Sequence, residues 1–193
     1  NNGVTVIDDF QKLGGPQSAV LLLVQPRALA PRELVELDAW IRAGGSALIF
    51  ADPALDWPSE LPLGDPRRPL FTSLLTPMFS HWGLELALPV SETEEEGETN
   101  FGIYPVVTRS AGIWSAAGAK PSAKCTIRED QLAAFCAVGK GRALLIADVD
   151  MLREDSWTDN VMTEGTMAWL QAVISAMQVQ VRFPTRLWET PGK

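Results

Sequence analysis

Residues 19–51 constrain the fold more than any other part of the chain. Ala19-Val20-Leu21-Leu22-Leu23-Val24 is apolar at successive positions, the pattern of a strand covered on both faces. Pro31 suits the first turn of a helix, where its missing N–H costs nothing. Leu34, Leu37 and Ile41 then recur at helical spacing, leaving Arg32, Glu33, Glu36 and Arg42 for solvent. Gly44-Gly45 supplies the left-handed residue that ends a helix, and Ala47-Leu48-Ile49-Phe50-Ala51 is a second buried strand closed by Asp52-Pro53. A strand, a helix and a strand within this length predict one right-handed parallel crossover. The whole chain has 193 residues, 46% of them hydrophobic. A compact chain of that size buries roughly 70% of its unfolded surface, so it needs neither metal nor disulfides to hold a core.

The rest of the chain is patterned for short elements. Val4-Thr5-Val6-Ile7 reads as a strand closed by Asp8-Asp9. Residues 53–70 carry five prolines and read as a surface loop. Ser73 to Trp82 suits a helix and Leu84 to Val90 a strand, whereas Ser91 to Thr99, with Glu92, Glu94, Glu95, Glu96 and Glu98, reads as a solvated acidic loop. Strand signals follow at Tyr104 to Thr108, Gly112 to Ala116, Lys124 to Arg128 and Ala134 to Val138. Gly139-Lys140-Gly141 then turns into Ala143 to Ala147. A closing helix gathers Trp169, Leu170, Val173, Ile174 and Met177 on one face. The expectation is a single α/β domain over 1–193, with residues 85–140 as a β-rich elaboration.

Charge excludes some partners. Twenty-four acids against 16 bases give a formal net charge of −8, which argues against a nucleic-acid-binding or polybasic membrane surface. No run of 18 apolar residues is present, so any membrane tether is expected outside this chain. The opening Asn1-Asn2-Gly3 reads as a piece of a longer protein or a processed form. Cys125 and Cys136 fit no zinc, haem or CxxC spacing, which leaves two buried thiols or one structural disulfide.

In a parallel sheet, ligands gather at the carboxyl ends of the strands. Those ends carry Asp8-Asp9, Gln25-Pro26-Arg27, Asp52-Pro53 and Asp148-Val149-Asp150. Asp8, Asp9 and Asp52 have a spacing similar to the acids of phosphoacceptor receiver domains, but Pro53 follows the would-be acceptor and no Ser/Thr-then-Lys pair appears at later strand ends. Capping and turn formation explain the same aspartates. Asp148-Val149-Asp150 with Asp155 and Asp159 lacks the central glycine and terminal glutamate of a calcium loop. No nucleophile elbow is present, and the one histidine, His81, lies where a helix meets Gly83. No phosphate-cradling or dinucleotide glycine pattern occurs. The motifs therefore point away from catalysis, and no metal or other cofactor is called for.

Several stretches together resemble a known family. They are Leu21-Leu22-Leu23-Val24-Gln25-Pro26-Arg27, Leu29-x-Pro31-x-Glu33-Leu34, Leu37-Asp38-Ala39-Trp40-Ile41-x-x-Gly44-Gly45 and Leu48-Ile49-Phe50-x-Asp52-Pro53. Leu74-Leu75, His81-Trp82-Gly83-Leu84, Ala147 to Leu152, Asn160 and Met167-Ala168-Trp169-Leu170 continue the match. In this order they resemble the GldG-like, gliding-motility-type auxiliary proteins of ABC transporters. The resemblance implies a flavodoxin-like, class I glutamine amidotransferase-like three-layer sandwich with a mostly parallel sheet, without the amidotransferase cysteine and histidine. It also implies an extracytoplasmic domain, on the periplasmic side, of a membrane-tethered parent that works with an ABC permease and ATPase.

The function expected from these readings is non-catalytic binding. The partner would be those transporter subunits, another envelope protein or a glycan. A ligand would be sought along Gln25, Arg27, Asp52, Asp148 and Asp150, with Trp57 or Trp157 as stacking faces and Trp114 as a further contact. Trp40, Trp82 and Trp169 are expected in the core. The competing expectations are a hydrolase or metal-dependent enzyme related to the trehalose-utilisation-like branch of the amidotransferase-like fold, and a purely structural dimerisation domain.

Overall fold

The computed structural model describes residues 3–15, 19–89, 96–118, 120–128, 130–153, 160–179 and 187. The crossover forms as its sequence predicts. Strand β1 (Val20–Val24) leads into helix α1 (Pro31–Arg42), which returns the chain to β2 (Ser46–Phe50) lying parallel to β1. Glu33 starts α1 from inside. Its carboxylate accepts the Ala30 N–H at 2.7 Å while both arms of the Arg27 guanidinium grip it from outside. Gly44, at φ 127°, ends the helix with its N–H on the Ile41 carbonyl. All five residues of β2 are buried, as a strand covered on both faces must be.

After β2 the chain makes helix α2 (Thr76–Trp82) and strands β3 (Leu84–Ala87), β4 (Glu96–Phe101), β5 (Tyr104–Arg109), β6 (Ile113–Ala116), β7 (Lys124–Ile127), β8 (Ala133–Val138) and β9 (Gly141–Ile146). Helix α3 (Asn160–Gln178) follows. The main sheet has the order β1-β2-β9-β8-β7; β3 pairs with β6 and β4 with β5 in two small separate sheets. Strands β3 to β8 lie within residues 84–138. Glu96 to Thr99, expected in a loop, belong to β4 instead, and the remainder of the acidic run, with Val90, lies outside the described residues. Val4 to Ile7 form no strand, and Val4 and Val6 are each 92% exposed.

The flavodoxin-like, amidotransferase-like expectation is corrected here. Among the described residues only β1–β2 and β2–β9 are parallel pairs; β3–β6, β4–β5, β7–β8 and β8–β9 are antiparallel. The sheet is mixed, not mostly parallel. The reason is local. β9 is entered from β8 through the tight turn at Gly139, φ 59°, and a hairpin can only reverse direction.

Cys125 and Cys136 stand opposite each other in the β7–β8 register and are joined by a disulfide, which resolves the two readings left open by their spacing. Trp82 and Trp169 are fully buried, as expected. Trp40 is only partly buried: its ring lies over Gly45 and its indole N–H reaches the Gly14 carbonyl. Trp114 is a correction in the other direction. It is fully buried on β6, edge-on to Phe79 at 4.8 Å between ring centres, so it offers no surface contact. Among the described residues no helix is long and apolar enough to cross a membrane.

Candidate functional site

The parallel pairing of β2 with β9 sets Phe50 beside Ile146, so the chains leaving both strands run out side by side. Asp52 and Asp148 lie two residues beyond those ends, and Asp150 begins a short 3-10 turn over Asp150–Leu152. Their carboxylates converge. One oxygen from each lies within 4.8 Å of the others, and all three side chains are buried.

Backbone donors hold two of the three. Asp52 accepts the Ala54 N–H at 2.8 Å on one oxygen and the Val149 N–H at 3.0 Å on the other. Asp148 accepts Met151 N–H at 3.0 Å and Arg109 N–H at 2.8 Å. Asp150 differs: neither of its buried oxygens has a hydrogen-bond partner among the described residues, and the Arg153 guanidinium stands 3.7 Å away.

Burial pushes the Asp52 carboxyl up to about 6, against the pull of the Val149 and Ala54 N–H groups and with a further push from Asp150. Asp148 is raised well above the usual carboxylate range, first by burial and then by the charge of Asp52. Burial also raises Asp150, opposed by the charges of Arg153 and Arg109 and by the nearby Asp56 N–H, which falls short of hydrogen-bond geometry.

The other strand-end residues do different work. Gln25, in the left-handed region at φ 37°, is a buried clasp. Its amide accepts the Asp52 N–H at 2.9 Å and donates to the carbonyls of Asp52 and Leu70 at 3.1 and 3.0 Å. Arg27 is committed to Glu33 and the Ala28 carbonyl at the start of α1, not to the acids. Asp8 pairs with Lys12, and Asp9 caps the turn at Gln11, so neither joins Asp52 in a receiver-like pocket. Trp57 is half-buried, with its indole N–H buried and unbonded among the described residues. Trp157 lies outside the described residues, as do Asp155 and Asp159. His81 is exposed and faces Arg42.

The acids at 52, 148 and 150 were visible as strand-end residues, but their convergence was not. It depends on β9 being the neighbour of β2, a pairing across almost a hundred residues that no local pattern encodes. The backbone donors at Val149 and Arg109 and the cation at Arg153 carried no sequence signal at all.

Comparison with known proteins adds a family match over the first part of the chain. Residues 4–88 match the model of a family described as an ABC-type uncharacterized transport system. The match takes in β1, α1, β2, α2 and β3, and it supports an auxiliary transport component. No curated protein matches the chain. Among solved structures, the chain is similar to the exo-β-1,4-mannosidase Op5Man5 from Opitutaceae bacterium strain TAV5, at 16% identity and a TM-score of 0.51, over 81% of this chain and 25% of that one. It is also similar to a β-galactosidase from Bacillus circulans sp. alkalophilus, at 10% identity and a TM-score of 0.43, over 78% of this chain and 22% of that one. The chain thus spans about a quarter of the length of the solved chains it matches. The mannosidase likeness concerns the fold alone and, with the strand directions above, replaces the flavodoxin-like expectation.

Proposed function

We propose that this chain is a non-catalytic, extracytoplasmic binding domain of an ABC-type transport system, of the GldG-like kind, and that it docks on the permease or ATPase-bearing assembly through a membrane-tethered parent. The observation that carries this reading is the family match over residues 4–88, which covers the crossover from which the resemblance was drawn. The Cys125–Cys136 disulfide supports the location, because such bonds persist chiefly in oxidising compartments. His81 faces Arg42, and Ser122 donates to its backbone carbonyl, so among the described residues its contacts are with Arg42, Ser122 and Asp38 and not with Asp52, Asp148 or Asp150. Because Gln25, Asp52, Asp148 and Asp150 are buried, a macromolecular partner would meet other parts of the surface.

The test is affinity purification of the tagged full-length parent from its native membranes, followed by mass spectrometry. Permease and ATPase subunits recovered in near-stoichiometric amount are the expected result. A parent recovered without any transporter subunit would sink the proposal.

A further inference from the structure

Three buried carboxylates within 4.8 Å of one another carry more negative charge than Arg153, at 3.7 Å from Asp150, and Arg109 together offset. Buried charges are normally paired or bound to metal. The hydrogen bonds narrow the alternatives. Both oxygens of Asp52 and both of Asp148 already accept backbone N–H groups, an arrangement that favours the ionised carboxylate over the acid. A proton added to either side chain would have to sit on an oxygen that is already an acceptor.

The second observation is Asp150. It is 1% exposed, its carboxylate reaches into the same cluster, and neither oxygen accepts a hydrogen bond among the described residues. An orphaned pair of buried acceptors beside two carboxylates already held by backbone N–H groups leaves a place for a positive centre more compact than a guanidinium.

We propose that Asp52, Asp148 and Asp150 hold one divalent cation of the hard, oxygen-seeking class, with Ca²⁺ the best fit. Mg²⁺ keeps several of its waters and is usually held through only one or two carboxylates. Ca²⁺ accepts a flexible shell of several protein oxygens, which three buried carboxylates within 4.8 Å of one another can begin to supply. Carboxylate ligands without imidazole or thiolate suit Ca²⁺, Mg²⁺ or Mn²⁺ better than zinc or copper. The ion would tie the end of β2 to the end of β9 and to the turn at Asp150–Leu152, a structural role that stands whether or not the transport reading holds. Arg153 and Arg109 would neutralise the charge left over on Asp150, whose ionised form both favour.

The experiment uses the full chain, stripped with EDTA, then titrated with CaCl₂ in a calorimeter and melted with and without the ion. The site predicts one Ca²⁺ per chain and a melting midpoint higher by about 5 °C or more at saturating ion. Mg²⁺ should bind more weakly. Asp150→Asn, which keeps the shape and removes the charge, should weaken Ca²⁺ by about tenfold or more. Should that variant fail to fold, metal analysis of the wild-type chain after gel filtration in CaCl₂ decides the matter at one ion or none. No heat and no shift with Ca²⁺, Mg²⁺ or Mn²⁺ would overturn the proposal in favour of a proton-sharing cluster. So would binding that Asp150→Asn leaves unchanged.

Discussion

At the scale of single residues, side-chain chemistry was easier to read than its use. Gln25 stood out because it follows a buried strand, and a surface amide there suggests ligand contact. Folding gives it a different task, because the left-handed backbone at φ 37° turns the amide inward toward the Asp52 backbone and the Leu70 carbonyl. Three backbone groups depend on it. Removing the amide leaves buried donors and acceptors unmatched, and that costs more than the bonds themselves contribute. Gln25→Ala should therefore destabilise the chain by about 2–3 kcal/mol, measured by urea denaturation at fixed ion content. A loss under 0.5 kcal/mol would show that water replaces the amide without difficulty and that the clasp is incidental. Asp52 illustrates the same gap between legibility and role. Its type and place at a strand end could be read, but its partners at Val149, Asp148 and Asp150 come from the far end of the chain.

At the scale of elements, α1 was legible almost residue by residue, because proline, the apolar period and the double glycine all act within one helix. What α1 packs against was not. The helical spacing leaves Arg42 for solvent and gives Asp38, one turn before it, no expected partner. In the structure they form a junction: Arg42 reaches Ser122, and Asp38 accepts the indole N–H of Trp82 at 2.7 Å, joining α1 to α2 and to the segment before β7. Burial works against the Asp38 anion, but Arg42 and the Trp82 indole outweigh it and hold the carboxyl below its usual value. A group whose folded pKa is depressed adds stability above its unfolded pKa, near 3.9, and loses it as the pH falls through the lower folded value. The junction should thus be intact at neutral pH and weaken in acid. Asp38→Asn should lower stability by about 1–2 kcal/mol at pH 7. Wild type and variant should converge once the pH has fallen below the depressed folded value, where both side chains are neutral. A difference that persists unchanged into acid would assign the effect to packing and not to charge.

At the scale of the whole molecule, the decisive question is how three separate sheets become one core, and here sequence periodicity is silent. Helix α3 supplies the connection between two of them. Trp169, fully buried, stacks against Phe101 of β4 at 4.7 Å and meets Phe50 of β2 edge-on at 6.3 Å, so one side chain touches the small β4–β5 sheet and the main sheet together. The closing helix and its apolar face were expected from the spacing of Trp169, Val173 and Met177. Its seat on β5 was not, because that seat is created by an absence of side chain at Gly165, where a Cβ would collide with the Pro105 carbonyl. Gly165→Ala sets two effects against each other. Alanine favours the helix by about 1 kcal/mol over glycine, while backbone-against-Cβ overlap costs about 1–3 kcal/mol and cannot be relieved by a side-chain rotation. If α3 is what couples the sheets, the collision wins: the variant melts at lower temperature, and amide exchange accelerates in β4 and β5 while β1, β2 and β9 stay protected. If instead the variant is as stable as wild type with unchanged exchange in β5, the helix can slide on the strand without loss, and the small sheet must be held to the core by its own contacts.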